Sequence, residues 1–125
     1  MAGVTGAAII EYAVELFPGF APQWAASYFR RDDGTFTPCG AFAELSHYVR
    51  DEYERLPPDH LARLGRFVSD CAESADADLA DAAGACFLEN VSGERFDDDF
   101  ARHLSGRALA LYRAHGTGQR EGDVR

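Results

Sequence analysis

Leu79-Ala80-Asp81-Ala82-Ala83-Gly84-Ala85-Cys86-Phe87-Leu88-Glu89-Asn90-Val91 is the stretch on which the fold turns. It is apolar nearly all round, which predicts a helix enclosed by its neighbours rather than one lying on a surface. Asp76-Ala77-Asp78 ahead of it offers N-capping side chains, and Gly93 behind it suits a left-handed closing residue. Ala80, Ala82, Ala83, Gly84 and Ala85 would let other helices approach closely, so this helix is expected at the centre of a bundle. Glu89 and Asn90 then become the polar groups expected to be partly buried.

Upstream, Phe42, Leu45, Val49, Tyr53 and Leu56 recur at steps of three and four until Pro57-Pro58 ends the pattern, an amphipathic helix. The next helix starts after those prolines with Asp59 in its first turn, carries Leu61, Leu64, Val68 and Cys71 on one face, and ends near Ser74. A first helix is expected from about Thr5 to Phe17, stopped by Pro18-Gly19. Between Phe20 and Pro38 the pattern is least regular: Phe20, Trp24, Tyr28 and Phe29 suit a short helix, and Asp33-Gly34 marks a turn. Downstream, Phe100, Leu104, Ala108 and Leu111 form one stripe from Asp97 onward, which Ser105-Gly106 could split in two. The expected fold is therefore all-α, a compact single-domain bundle of five to six helices over residues 1–115, with a disordered tail over 116–125.

Composition supports one ordinary soluble domain. The 125 residues are 46% hydrophobic and 26% charged, close to globular averages, and a chain of this size can bury one core. Twenty-one acidic side chains against 12 basic ones, every one of them Arg, leave a net charge of −9. Such a surface repels phosphate backbones and anionic headgroups, so direct nucleic-acid and membrane binding are disfavoured, and a basic protein partner is favoured. No apolar stretch approaches the roughly 20 residues of a membrane span, and Glu11 and Glu15 interrupt the N-terminal run where a secretory signal would need continuity. Cys39, Cys71 and Cys86 are odd in number, at spacings that fit neither a zinc motif nor a disulfide framework. The expectation is unpaired thiols, with Cys71 and Cys86 packed in the core, in a reduced, cytoplasmic setting.

Metal and covalent chemistry find little purchase. Glu44-Leu45-Ser46-His47 has the Glu-x-x-His spacing of di-iron bundles, but the chain holds no second copy. At about 100° per residue, Glu44 and His47 fall opposite the Phe42, Leu45, Val49, Tyr53 stripe, which predicts a solvated face. Asp97-Asp98-Asp99 with His103 does not reproduce a calcium loop, and three acids at a helix start complement the macrodipole. No nucleophile elbow, Walker loop or dinucleotide fingerprint occurs. His47, His60, His103 and His115 are all expected on helix surfaces or ends, and Tyr48 and Tyr53 at the edge of the core. No cofactor and no metal are expected.

The feature that stands out is charge segregation. Asp76 to Asp99 holds eight acids and one base, whereas Phe100 to Arg125 holds two acids and five arginines. Crowded like charge costs stability, which gives the segment a candidate purpose. Asp76, Asp78, Asp81, Glu94, Asp97, Asp98 and Asp99 are accordingly the expected partner-binding residues, forming one negative face if the helices pack antiparallel.

Gly40-Ala41-Phe42-Ala43-Glu44-Leu45, the helix ending before Asp76-Ala77-Asp78, and Ala85-Cys86-Phe87-Leu88-Glu89-Asn90-Val91 together resemble small helical bacterial proteins that accompany secreted toxins as candidate immunity proteins. The likeness covers roughly residues 40 to 112. It implies a stoichiometric, non-enzymatic inhibitor bound to a toxin, and the acidic character fits a basic toxin domain. Two other classes stay open: a phage-encoded inhibitor of a host nucleic-acid-binding defence complex, and a small helical metal-binding enzyme should Glu89, Asn90 and a neighbouring His converge.

Overall fold

A computed structural model describes residues 6–114, and within them every regular element is helical. The expected 116–125 tail and His115 lie outside the described residues. In chain order the elements are α1 (Gly6–Leu16), α2 (Phe20–Ala25), α3 (Pro38–Glu52) with a 3₁₀ turn at Tyr53–Arg55, and α4 (Pro58–Ala72). There follow α5 (Ala77–Asp81), a π-helical stretch (Ala82–Leu88), α6 (Glu89–Val91), α7 (Asp97–Ala101) and a last helical segment at 106–114.

The class is the one expected, but the chain is cut into more pieces than five or six. The helix through Tyr53 tightens into a 3₁₀ turn before the prolines. Residues 77–91 run on as one rod whose middle widens to π geometry. The last stretch breaks at Ser105-Gly106, where Gly106 takes φ +56, a left-handed backbone that favours glycine. Glu73, on the exposed end of α4, accepts a hydrogen bond from the Arg107 backbone N–H at 3.0 Å and so satisfies one orphan donor of the new helix start.

Local signals explain the other boundaries. Thr37 caps α3, accepting from the Gly40 N–H at 3.0 Å, with Pro38 pre-set for the first turn. Asp76 caps α5, accepting from the N–H groups of Asp78 and Leu79. Gly93 closes the rod at φ +76.

The rod packs chiefly against α3. Leu79, Ala82, Ala83, Gly84, Phe87, Leu88 and Val91 are buried, while Asp78, Asp81, Ala85 and Glu89 form a narrow exposed stripe, so the rod is enclosed on most sides rather than all. The core is a chain of rings: Phe42 meets Phe67 and Phe87, Phe87 meets Phe100, and Phe100 meets Tyr112, at centroid distances of 5.8–6.4 Å. Tyr12 of α1 stacks on Phe67 of α4 at 4.3 Å, which brings the first helix onto the same core.

The cysteines depart from expectation. Cys39 and Cys86 form a disulfide with Cα atoms 5.3 Å apart. Only Cys71 is a free, buried thiol, its pKa pushed up to about 12 mainly by burial. Sequence spacing concealed the pair because α3 and the π-helical stretch, 47 positions apart, lie side by side. The unpaired thiols expected from an odd count are therefore corrected to one pair and one single.

Candidate functional site

The seven acids lie, as the sequence places them, at the two ends of the rod. Asp76, Asp78 and Asp81 stand at its start, and Glu94, Asp97, Asp98 and Asp99 follow its end. Fifteen helical residues separate the groups by about 20 Å, beyond the roughly 8–10 Å over which exposed charges act in physiological salt.

Several of these acids are spent on the fold. Asp97 accepts from the N–H groups of Gly93 and Glu94 and, at 2.6 Å, from the Tyr112 hydroxyl. Asp99 accepts from the Tyr53 hydroxyl and pairs with Arg102 at 2.9 Å. Burial, and then these carboxylates, raise both phenol pKa values far above the usual range. Glu94 bridges Arg50 at 3.4 Å and Arg95 at 3.7 Å. Asp78, Asp81 and Asp98 are exposed, and no described side chain pairs with them.

Asn90 is half-buried as expected, its amide donating to the Cys86 carbonyl at 2.9 Å and to Ser46 Oγ at 3.3 Å. Glu89 is exposed, contrary to expectation, because it falls on the solvent stripe of the rod. The two therefore do not converge into a site. Among the described residues no three His, Cys, Asp or Glu side chains come together as a metal site would require. His103 also departs from expectation: it sits in the turn between α7 and 106–114, with Nε2 buried and without a hydrogen-bond partner among the described residues.

A different site forms where the sequence was least legible. Gln23 of α2 and Ser27 just after it fold over the polar face of α3, so Glu44 is covered rather than solvated, with 12% of its side chain exposed. Gln23 Nε2 donates to Glu44 Oε2 and Ser27 Oγ to Glu44 Oε1, each at 2.6 Å. Ser27 Oγ in turn accepts from the Phe29 N–H at 3.0 Å, which fixes the loop. His47 Nδ1 lies 4.0 Å from Glu44 Oε2. With Tyr28, Arg50 and Asp51 these residues line an open concavity of about 490 Å³.

The order of groups here is hydroxyl, carboxylate, imidazole. In a hydrolytic triad the imidazole stands between the other two so that it can take the hydroxyl proton. Ser27 instead directs its proton to Glu44. The arrangement is thus built to hold a carboxylate in place and present it to a cleft. The only sequence signal for it was Glu44 itself, three residues before His47, read on the assumption that nothing covered that face.

Residues 10–117 match the family model described as Domain of unknown function (DUF7674), a span that takes in the cleft, the rod and both acidic groups. The chain belongs to the DUF7674 family. No curated protein and no solved structure matches it.

Proposed function

We propose that this protein is a non-catalytic binding module that inhibits a basic protein partner, acting as an immunity protein that neutralises a bacterial toxin. The observation that supports this reading is that Asp78, Asp81 and Asp98 remain exposed and unpaired while neighbouring acids are committed to caps and tyrosines. In a chain of net charge −9, Asp78 and Asp81, three positions apart on α5, repel one another, and a cationic partner surface relieves that cost. The resemblance of Ala85 to Val91 and its surroundings to candidate immunity proteins points the same way.

Where binding takes place bears on the cysteines. No helix among the described residues is long and apolar enough to cross a membrane. Unpaired thiols would favour a cytoplasmic setting, and the Cys39–Cys86 bond removes that support, since such bonds persist mainly in oxidising compartments.

The test is co-expression with the product of the adjacent gene, assayed alone for toxicity, followed by titration of the purified pair. Growth rescue together with stoichiometric loss of toxin activity is the expected result. Unchanged toxicity and no complex at micromolar concentration would count against the inhibitor role.

A further inference from the structure

We propose that the cleft between α2 and α3 receives an arginine side chain of the partner, with Glu44 as its floor, Asp51 on its rim and the Tyr28 ring as its wall. This rests on the reading of the chain as a binder of a basic protein and names the contact through which it binds.

The floor is preorganised. Each Glu44 oxygen already accepts one short hydrogen bond, from Ser27 or Gln23, which fixes the plane of the carboxylate. A carboxylate has about four acceptor positions, so two remain for the parallel N–H groups of a guanidinium. Because most of the Glu44 side chain is out of water, a charged partner there meets less screening than at a surface pair.

Resident charge leaves the cleft open to a cation. Arg50, the only arginine in its lining, is turned toward Glu94. Arg95, the next arginine along that side, is held by Glu54 at 2.6 Å. Asp51 is exposed and makes no hydrogen bond or ion pair among the described residues. In the lining itself Glu44 and Asp51 stand against Arg50 alone, which is bridged to Glu94, so a phosphate or carboxylate ligand would be repelled.

Tyr28 selects among cations. It is the only large hydrophobic side chain among the described residues that stands in water, with 94% of it exposed. Its neighbour Phe29 meets it edge-on at 5.7 Å, so the ring projects from a loop that Ser27 has already fixed. An aromatic ring beside a carboxylate suits a planar guanidinium, which stacks and pairs at once, better than a lysine ammonium.

The experiment titrates the full-length protein with acetyl-arginine amide, acetyl-lysine amide and acetyl-glutamate amide, following backbone amide shifts by NMR. The arginine probe should perturb Gln23, Tyr28, His47 and Asp51 in a saturable way and the lysine probe more weakly, while the glutamate probe should leave them unmoved. Tyr28→Ala, Asp51→Asn and Glu44→Gln should each weaken the arginine response, Glu44→Gln by roughly tenfold. The two rim variants are exposed and should keep the wild-type thermal midpoint, which separates lost binding from lost fold if Glu44→Gln unfolds. Arginine shifts centred on Asp78 and Asp81, or unchanged in all three variants, would overturn the proposal. Self-association abolished by Tyr28→Ala would replace the partner with a second copy of this chain and overturn it likewise. Toxin inhibition undiminished by Tyr28→Ala and Asp51→Asn would reject the cleft but leave the inhibitor reading standing; saturable arginine binding without any toxin inhibition would do the reverse.

Discussion

Cys39, in the first turn of α3, is bonded to Cys86 in the π-helical stretch of the rod. The link closes 47 positions of chain, and loop-closure entropy for a loop of that length corresponds to an upper figure of roughly 4 kcal/mol, with measured effects typically about 2–4 kcal/mol. We predict that reduction, or Cys39→Ser with Cys86→Ser, lowers the unfolding free energy obtained from urea denaturation by an amount in that range. Thiol titration is a direct check: no reactive thiol in the native oxidised protein, one after unfolding, three after reduction. Three thiols in unfolded protein never exposed to reductant would contradict the pairing.

Gly65 lets the turn after α7 lie directly on α4. A Cβ at this position would fall 2.6 Å from His103 Cβ and closer still to the His103 carbonyl oxygen, and backbone cannot yield as a side-chain tip can. Gly65→Ala is therefore predicted to destabilise by about 1–3 kcal/mol. At Gly19 the nearest atom is the Tyr48 hydroxyl at 2.8 Å, the free end of a side chain, so Gly19→Ala should cost much less. Equal midpoints for the two variants would show that α4 and the turn can separate.

Phe87 is fully buried between Phe42 and Phe100. Phe87→Ala should cost about 3–5 kcal/mol by chemical denaturation, the range for removing a core ring without collapse of the cavity.

How much of this was legible depends on whether a signal was local. The stripe from Phe42 to Leu56, the Asp76 cap and the Gly93 stop each act within a few residues, and each is found in the structure. Cys39 with Cys86, and Glu44 with Gln23 and Ser27, are relationships between segments, set by how helices pack rather than by any periodicity. Helical phase placed Glu44 correctly on the polar face of α3. It could not show that residues 20–27, the segment with the weakest pattern, would close over that face. Glu89 departs from expectation for a related reason: nearly all-round apolarity gives no indication of which stripe of the rod meets water.

His103 predicts a pH response. Its pKa is lowered from the ordinary value near 6.5, first by burial and then by Arg102, with Asp99 opposing. The folded protein thus holds His103 neutral where the unfolded chain already binds a proton. Stability from this group is complete above about pH 6.5 and is lost as pH falls from there through the lower folded-state value. His103→Phe should flatten the stability profile as pH falls below 6.5 relative to wild type. Parallel profiles over that range would assign the loss to other groups.

Asp97, Asp98 and Asp99 stand together in the sequence but do different work. Asp97 ties Tyr112, Gly93 and Glu94, and Asp99 ties Tyr53 and Arg102, whereas Asp98 faces solvent without a described partner. Asp97→Asn should cost about 1–3 kcal/mol, because it disturbs charge-assisted hydrogen bonds to partly buried donors, and Asp98→Asn only the macrodipole contribution of a first-turn acid, about 0.3–1 kcal/mol. A variant with all three changed would therefore confuse lost folding with lost binding. The cleaner probe of electrostatic recognition is Asp78→Asn, Asp81→Asn and Asp98→Asn combined, since all three side chains are exposed and unpaired. For that variant we predict a thermal midpoint lowered by no more than the macrodipole contributions of Asp78 and Asp98, slower association with the basic partner and a weaker salt dependence of the association rate, with dissociation left nearly as in wild type. Identical association rates at low salt would remove these acids from the encounter and leave the cleft at Glu44 to account for binding.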